Sequence, residues 1–232
     1  MEILAIIPAR GGSKRVKDKN IKLLAGKPLI AYSIDQAKKS KLVTRVVVST
    51  DSLAIKEISM QYGAEVIDRP AEFAVDTAPT LPVLWHVLHH LHETENYVPK
   101  YIVLLQPTNP LRTTEDIDAC IQLMLKHSSD TVVSVREAQE TPFWMFTIEK
   151  GVLQKVVENT TARSQDLPKA YLLNGAVYVL DPSIVLNQKT TLGVLGDTNI
   201  PYVMPLERSQ DIDIEEDFEE VEKMMVLPIN LE

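Results

Sequence analysis

The residues best suited to chemistry near the start of the chain are cations that follow its first apolar run. In "ILAIIPARGGSKRVKDKN", residues 3–20, five cations fall within ten positions, namely Arg10, Lys14, Arg15, Lys17 and Lys19. The glycines at 11 and 12 let the backbone turn tightly and expose N–H groups. Because the whole chain has a net charge of −8, this basic loop predicts a local site for a small anion such as phosphate. The alternative is a basic turn that simply faces solvent.

Known phosphate-binding loops do not match this stretch. A P-loop ends in Gly-Lys-Ser/Thr, and a dinucleotide site needs G-x-G-x-x-G. Both patterns are missing from residues 9–20. The loop therefore argues against a Rossmann-type dehydrogenase.

A pair of acids near the end of the sequence could hold a metal ion. In "QDIDIEEDF", Asp211 and Asp213 alternate with Ile212 and Ile214. In an extended segment both carboxylates then point to one side, with the isoleucines packed behind them. Two such carboxylates suit a hard divalent cation, Mg²⁺ or alternatively Mn²⁺. The acids that follow favour the start of a helix around Asp217.

A proline-rich loop, "LLQPTNPLR", spans residues 104–112. Its two prolines restrict the backbone and could hold the Gln106 amide and the Arg112 guanidinium in place. The same stretch could be an ordinary strand-to-helix turn in which Thr113 or Thr114 caps the helix.

Two other segments contain polar residues that have either a structural or a functional role. In "RPAEFAVDTAPT", residues 69–80, Asp76 and Thr77 either cap the next helix or line a site. His86 and His90 have the four-residue spacing of helical zinc ligands. The glutamate of H-E-x-x-H and an evident third ligand are missing, so an exposed helix face is the favoured interpretation.

The elements that must position these residues alternate between strand and helix patterns. Short runs rich in β-branched residues predict strands at Ile3–Ile7, Arg45–Ser49, Ala64–Ile67, Tyr101–Leu105, Thr131–Val135 and Asn174–Leu180. Apolar positions at helical spacing predict helices at Leu29–Ser40, Ser52–Tyr62, Thr80–Thr94 and Thr114–His127. This alternation predicts an α/β fold of three layers, with helices on both faces of a mostly parallel sheet. Ligands of such sheets bind beyond the carboxyl ends of the strands, which is where the basic loop falls.

The alternation is interrupted between residues 136 and 170. This stretch contains "TPFWMF" and the alternating "VLQKVVE", which predict a protruding β-hairpin arm on an otherwise single domain of residues 1–232. A lone hairpin buries little, so its cluster of Phe143, Trp144, Met145 and Phe146 predicts an interface. The alternative is that the cluster folds back onto its own domain.

Composition excludes several classes of function. A pI near 5.2 argues against nucleic-acid binding. The one cysteine, Cys120, leaves no internal disulfide and fits a cytoplasmic protein; its helical pattern favours the core. We expect no membrane association, because no apolar run approaches about 20 residues and the N-terminus lacks a signal-peptide pattern.

Seven blocks, in order, resemble the N-acylneuraminate cytidylyltransferases, the CMP-sialic acid synthetases, over nearly the whole chain. The first resembles the A-R-x-G-S-K-x(5)-K-N loop of that family, and its matching residues are Ala9, Arg10, Gly12, Ser13, Lys14, Lys19 and Asn20. The others are "AGKPLIAYSI", "VVVSTD", "RPAEFAVDTA", "LLQPTNPLR", "NGAVYVL" and "QDIDIEEDF". Asn109 stands where the family usually has serine. Related enzymes activate legionaminic, pseudaminic and 3-deoxy-manno-octulosonic acids.

The resemblance implies a fold, a reaction and roles for site residues. The fold is the Rossmann-like nucleotide-diphospho-sugar transferase fold, and the reaction joins CTP to a nonulosonic acid, giving a CMP-sugar and pyrophosphate. The implied CTP-binding residues are Arg10, Gly12, Ser13, Lys19, Asn20, Arg69 and Thr80. Gln106 and Asn174 face the sugar acid. Asp211 and Asp213 hold Mg²⁺. The implied catalytic residues are Arg10 and Lys19, which contact the phosphates, and Asp211, the candidate acceptor of the hydroxyl proton.

One departure concerns the sugar carboxylate. Several sialic acid synthetases carry an arginine two or three residues before Asn-Gly, and the corresponding stretch here is "YLLNG", which has Leu172 and Leu173 and no arginine. Family members are often homodimers in which the arm covers the partner's sugar site, so Arg163 on the arm is a candidate substitute. The exact sugar stays open, and so does a non-catalytic nucleotide-binding domain of the same fold.

Overall fold

The computed structural model describes residues 1–158, 163 and 166–226. Its strands are β1 (Ile3–Pro8), β2 (Leu23–Leu24), β3 (Lys27–Pro28), β4 (Arg45–Thr50), β5 (Glu65–Asp68), β6 (Tyr101–Leu104), β7 (Thr131–Glu137), β8 (Phe146–Glu149), β9 (Val152–Lys155), β10 (Tyr171–Leu180) and β11 (Asn199–Val203). Its α-helices are α1 (Leu29–Lys39), α2 (Leu53–Gln61), α3 (Thr80–Glu95), α4 (Thr114–Lys126), α5 (Pro182–Leu186) and α6 (Glu215–Val226).

Seven strands form a central sheet in the order β11-β7-β10-β6-β1-β4-β5. All neighbouring pairs are parallel except those of β10, which runs antiparallel to both β6 and β7. The carboxyl ends of six strands therefore meet at one edge of the sheet. Because β10 runs the other way, its first residues reach the same edge.

Helices cover both faces of the sheet, so the predicted three layers are confirmed. Alternation along β1 sends Ile3, Ala5 and Ile7 to one face and Leu4 and Ile6 to the other. The first face packs against α1, α2 and α4, and the second packs against α3 and α5. Cys120 is buried in the first layer, as its helical pattern predicted.

The predicted ends of the main helices and strands agree with the structure to within three residues, but the sequence patterns did not predict four short elements. The missed elements are β2, β3, β11 and α5. Strand β11 contains Pro201 and lies at the edge of the sheet, where a missing N–H is tolerated. A two-residue strand or a five-residue helix is too short to show a hydrophobic period.

The predicted hairpin arm is confirmed as a separate two-stranded sheet. Strands β8 and β9 pair with each other and are joined by Lys150 and Gly151, both with positive φ. Large apolar side chains on it are exposed, including Trp144 and Phe146, at 50% and 47% of their full area. Of the predicted cluster, Trp144, Met145 and Phe146 are exposed, whereas Phe143 is half-buried by its own chain, so the alternative of a folded-back cluster holds in part for Phe143.

A buried arginine ties the proline-rich loop to the core. Arg112 is 1% exposed, and its guanidinium donates to the carbonyl oxygens of Gln106 at 2.9 Å and Ala176 at 2.7 Å, and to the hydroxyl of Ser33. Gln36 on α1 accepts from its Nε at 3.2 Å. Burial lowers the pKa of Arg112 to about 9, so it stays charged at neutral pH. The loop, α1 and β10 are thus joined through one side chain.

Thr113 settles the other interpretation of this loop. It caps α4 through a capping box with Asp116, as the sequence allowed. Both interpretations of residues 104–112 therefore hold together, because the loop is a strand-to-helix turn whose arginine is buried. None of the helices in the described part of the chain is long and apolar enough to cross a membrane.

We expect Arg112→Met to lower the free energy of unfolding by at least about 3 kcal/mol, because it strands buried carbonyl and hydroxyl groups. The matched control is Arg45→Met, which breaks ion pairs to the exposed carboxylates of Glu65 and Glu95. That change should cost about 1 kcal/mol. Urea unfolding at neutral pH measures both, and equal losses would contradict the role assigned to Arg112.

Candidate active site

Two adjoining cavities open at the edge of the sheet where the parallel strands end. The larger cavity has a volume of about 600 Å³ and lies beyond β1, β5 and β6. The smaller cavity, about 400 Å³, lies beyond β7 and against the first residues of β10. Gln106 and Asp211 belong to the walls of both. These shared residues therefore mark the boundary at which two bound molecules would meet.

Most of the predicted site residues lie in the wall of the larger cavity. They are Arg10, Ser13, Lys19, Asn20, Arg69, Thr80, Gln106, Asp211 and Asp213. Gly12 is not among the lining residues, but its φ of +66° produces the turn that the loop needs. The loop is fixed at two further points, since Gly11 N donates to Asp51 Oδ1 at 2.8 Å and Asn20 Nδ2 donates to the Arg10 carbonyl oxygen at 3.0 Å.

Carboxylates on the opposite wall hold the loop cations. Arg10 lies 2.5 Å from Asp76, which also pairs with Lys14. Arg15 and Lys19 lie 3.0 and 3.3 Å from Asp213. The hydrogen bond from Lys14, with that from Arg10, lowers the pKa of Asp76. Arg10 and Lys19 are therefore held at the cavity wall, with 31% and 15% of their side chains exposed, whereas Lys14 and Arg15 lie at its rim and stay mostly in solvent, at 79% and 69%.

The far wall of the larger cavity is mostly apolar. It consists of Pro8, Phe73, Val75, Ala78, Pro79 and Val83, with Arg69 and Thr80 beside them. Arg69 donates to the carbonyl oxygen of Ser49 at 2.6 Å and to its hydroxyl at 3.2 Å. Burial lowers the pKa of Arg69 to about 10. A flat apolar group fits this wall with polar contacts at its rim.

Asp211 and Asp213 reach the larger cavity on either side of Ile212, which is fully buried. Ile214, in contrast, is 42% exposed, so the prediction that both isoleucines pack behind the acids is wrong. Helix α6 begins at Glu215, and Asp217 accepts hydrogen bonds from the N–H groups of Asp213 and Ile214. These bonds end the extended segment directly after the second acid.

The carboxylate of Asp211 lies in an environment that perturbs its pKa. Although Asp211 is open to the solvent of the cavities, the surrounding protein partly desolvates its carboxylate and raises its pKa. The charge of Asp213 adds to this rise, while a hydrogen bond with Thr108 and the charge of Lys19 oppose it. The Asp211 carboxylate therefore binds a proton more readily than an ordinary aspartate, because this partial desolvation raises its pKa.

No group of three or more His, Cys, Asp or Glu side chains suited to a metal occurs among the described residues. His86 and His90 therefore form no zinc site there. His90 is exposed as predicted, but His86 is not, because its Nδ1 is buried without a hydrogen-bond partner and its ring lies 5.9 Å from that of Phe73. The prediction of a fully exposed histidine face is wrong at this position.

The smaller cavity contains Asn174, but the protein already satisfies its side chain. Its Oδ1 accepts from Ser134 Oγ at 2.6 Å and from Ala176 N at 3.2 Å. Its Nδ2 donates to Ser209 Oγ at 3.0 Å and to Met204 Sδ at 3.2 Å. An amide has four such positions. Asn174 therefore suits a positioning role better than the direct sugar contact that the resemblance implied.

Arg163 lies apart from both cavities. It pairs with Asp166 at 2.7 Å on the arm, and 72% of its side chain is exposed. Its predicted contribution needs a second chain and stays a prediction. Arg136, which the sequence analysis did not single out, lines the smaller cavity instead. It directly follows Val135, the predicted end of this strand. A cation at the carboxyl end of a parallel strand was therefore the sequence feature that could have indicated a site residue.

The carboxyl ends of six parallel strands meet at one edge of the sheet, and the cavity there is lined by cations and an acidic pair; this arrangement is typical of Rossmann-like nucleotide-binding proteins. Residues 4–183 match the family model described as "Cytidylyltransferase". The chain therefore belongs to the cytidylyltransferase family. The predicted family, enzyme class and fold are confirmed.

Two relatives and one solved structure extend this finding. The chain is 34% identical to the CMP-N,N'-diacetyllegionaminic acid synthase of Legionella pneumophila, over 98% of this chain and 97% of that protein. It is also 34% identical to the N-acylneuraminate cytidylyltransferase of Streptococcus agalactiae, over 94% of this chain and 52% of that protein. The solved structure of CMP:2-keto-3-deoxy-manno-octonic acid synthetase complexed with CTP aligns with a TM-score of 0.73, covering 97% of this chain and 98% of that one. The two sequences are 16% identical, so this likeness shows a shared fold and nothing more specific.

We expect Gly175→Ala to lower kcat/KM at least tenfold, because the new Cβ would lie 2.7 Å from Gln106 Oε1 and 3.1 Å from Asn109 Oδ1. The control is Gly193→Ala, which also has positive φ but has nothing within 4 Å of its Cβ. Both variants carry the same backbone strain, about 1–2 kcal/mol. Steady-state kinetics measure kcat/KM for both variants. An equal fall in kcat/KM would show that backbone strain causes the loss, and it would contradict the explanation that the new Cβ crowds Gln106.

Proposed function

We propose that the protein transfers the cytidylyl group of CTP to the anomeric hydroxyl of a nonulosonic, sialic-type 2-keto sugar acid and releases pyrophosphate. The observation that carries this proposal is the pair of adjoining cavities that share Gln106 and Asp211. One cavity has the cations and apolar wall that a nucleoside triphosphate needs, and the other is polar. The relatives named for legionaminic and N-acylneuraminic acid support the sugar class.

The positions of the cations and of the apolar wall support one orientation for CTP in the larger cavity. Its phosphates would replace Asp76 and Asp213 as partners of Arg10, Lys14 and Lys19, whose charges the transferring group needs. The cytosine ring would lie on the apolar wall beside Arg69 and Thr80, with Asn20 holding the loop from behind. Positioning and charge neutralisation then supply most of the catalysis.

Asp211 and Asp213 fit a magnesium ion. Mg²⁺ in phosphoryl-transfer sites commonly takes one or two protein carboxylates and completes its shell with substrate phosphates and water. Two acids without a third protein ligand among the described residues match that donor set. When bound, the ion neutralises charge on the α-phosphate and on the leaving pyrophosphate; Mn²⁺ is an alternative.

The chemical step needs a proton acceptor between the two cavities. The sugar hydroxyl oxygen bonds to the α-phosphorus, the bond from that phosphorus to the bridging oxygen breaks, and pyrophosphate leaves with the electron pair. Asp211 lines both cavities, so we assign its carboxylate as the acceptor of the hydroxyl proton, directly or through water.

The exposed hairpin arm supports a homodimer. Trp144, Met145 and Phe146 are residue types enriched at interface cores, and they are exposed in the single chain. A two-fold arrangement in which each arm contacts the other chain would bury them and would bring Arg163 near the partner's smaller cavity. We further infer that the enzyme works in the cytoplasm, where CTP is available.

The function is tested by pyrophosphate release. Each of the four ribonucleoside triphosphates is incubated with Mg²⁺ and a panel of N-acetylneuraminic, legionaminic, pseudaminic and 3-deoxy-manno-octulosonic acids. CTP with a nonulosonic acid should give turnover well above every other pair. Turnover with none of these acids, or with another nucleotide, would overturn the proposal.

Asp211→Ala and Asp213→Ala should each reduce kcat at least ~100-fold, about 2.7 kcal/mol, because each removes a charge and a metal-coordination position. Circular dichroism should show that both stay folded. Glu216→Ala is the control, since Glu216 is an exposed acid of α6 that does not line the cavities. Near-normal turnover of the two aspartate variants with Mg²⁺ would refute the metal assignment.

Arg10→Ala and Lys19→Ala should raise the KM for CTP or lower turnover, because they remove cations that face the phosphates. The KM for the sugar acid should change less. Lys17→Ala is the matched control from the same loop, because Lys17 is exposed and outside the cavity wall. A change confined to the sugar KM would contradict the assignment of the loop to the triphosphate.

Light scattering at micromolar concentration should give twice the chain mass of 26.0 kDa. Mixing Arg163→Ala with Asp211→Ala chains should restore activity, because some heterodimer sites then contain both groups. A 26.0 kDa species would refute the dimer. No recovery despite proven subunit exchange would show that each chain supplies its own site.

A further inference from the structure

The smaller cavity has one feature that the proposed function does not yet use, an arginine. Its lining residues are Gln106, Arg136, Leu173, Asn174, Gly175, Tyr178, Ser209, Gln210 and Asp211. Arg136 is the one cation among them, and Asp211 is the one acid. An acidic sugar that entered this cavity would meet the charge of Asp211 and would need a cation to offset it.

Resting on the proposed function, we propose that Arg136 binds the carboxylate of the 2-keto sugar acid. A guanidinium presents a planar set of N–H donors that matches a carboxylate with two parallel hydrogen bonds. The neutral amides and hydroxyls of the cavity supply no charge. Because the carboxylate and the anomeric hydroxyl are bonded to the same carbon, binding of the carboxylate by Arg136 would also orient that hydroxyl within the cavity that Asp211 lines.

The guanidinium of Arg136 is available for such a ligand. It forms no ion pair within the described part of the chain, and its one hydrogen bond there goes to the carbonyl oxygen of Glu137 at a long 3.5 Å. Glu137, the next residue on β7, points to the opposite face and pairs with Lys169 at 2.9 Å. Glu137, the adjacent acid in the sequence, therefore does not neutralise the charge of Arg136.

Strand register places Arg136 beside the position that the sequence analysis marked as missing an arginine. Arg136 lies directly opposite Leu172 in the antiparallel ladder of β7 and β10. Side chains at directly opposite positions share a face, with Cβ atoms about 5 Å apart. A cation on β7 can therefore serve the region that a cation at position 172 would serve. Arg163, the earlier candidate, is already paired with Asp166.

The test measures KM for both substrates in Arg136→Leu, Arg136→Lys and the control Lys169→Leu. The sugar substrate is whichever of N-acetylneuraminic or legionaminic acid the wild type turns over faster, and its methyl ester serves as a neutral competitive inhibitor. Arg136→Leu should raise the KM for the acid about 10- to 100-fold. Its KM for CTP and its affinity for the ester should stay within about threefold of wild type. Arg136→Lys should fall between, and Lys169→Leu should resemble wild type.

A transplanted arginine checks that charge, not packing, is responsible. The double variant Arg136→Leu, Leu172→Arg moves the guanidinium from β7 to the directly opposite position on β10. Its KM for the acid should be at least threefold lower than that of Arg136→Leu. A double variant no better than Arg136→Leu would overturn the proposal, as would equal loss of acid and ester affinity. If Arg136→Leu does not fold, Arg136→Gln, which is also neutral but keeps a polar side chain, replaces it in every comparison with the same expected results. A wild-type enzyme inactive on every sugar acid would instead refute the proposed function.

Discussion

Folding this chain requires the Arg112 guanidinium to leave water, and its hydrogen bonds decide where the two cavities lie. A buried charge is tolerated only when its donors are satisfied, so Gln106, Ala176 and Ser33 must converge on it. That convergence fixes the end of β6, the middle of β10 and the start of α1 relative to one another. Gln106, which both cavities share, is placed by this network.

A second constraint is charge balance across the larger cavity. An acidic protein can concentrate cations in one loop because Asp76 and Asp213 face them from other segments. A triphosphate would take over these cations, so binding exchanges one set of anionic partners for another. The acids that hold the loop then become available, and in the proposed mechanism Asp213 turns to the metal.

The antiparallel strand β10 creates the smaller cavity. Inserted between β6 and β7, it brings its first residues to the edge where the parallel strands end. Its register with β7 shifts between Leu173 and Tyr178, which gives Asn174 room to bond with Ser134 and Ser209. At Gly175, the positive φ and the close approach of Gln106 exclude a larger residue. Asn174 and Gly175 therefore shape the cavity, while Arg136 supplies its charge.

The sequence by itself determined the α/β class, the basic loop, the acidic pair, the hairpin arm and the family, because hydrophobic periods and ordered motifs are local in the chain. Only the tertiary structure decided which charges face one another. Asp76, left open between cap and site, proved to pair with Arg10 and Lys14; Ile214 proved exposed; and Asn174 proved to be satisfied by its own protein. Arg136 gained its significance from a partner strand 36 residues away, at Leu172. Such pairings depend on strand register and burial, which no local pattern encodes.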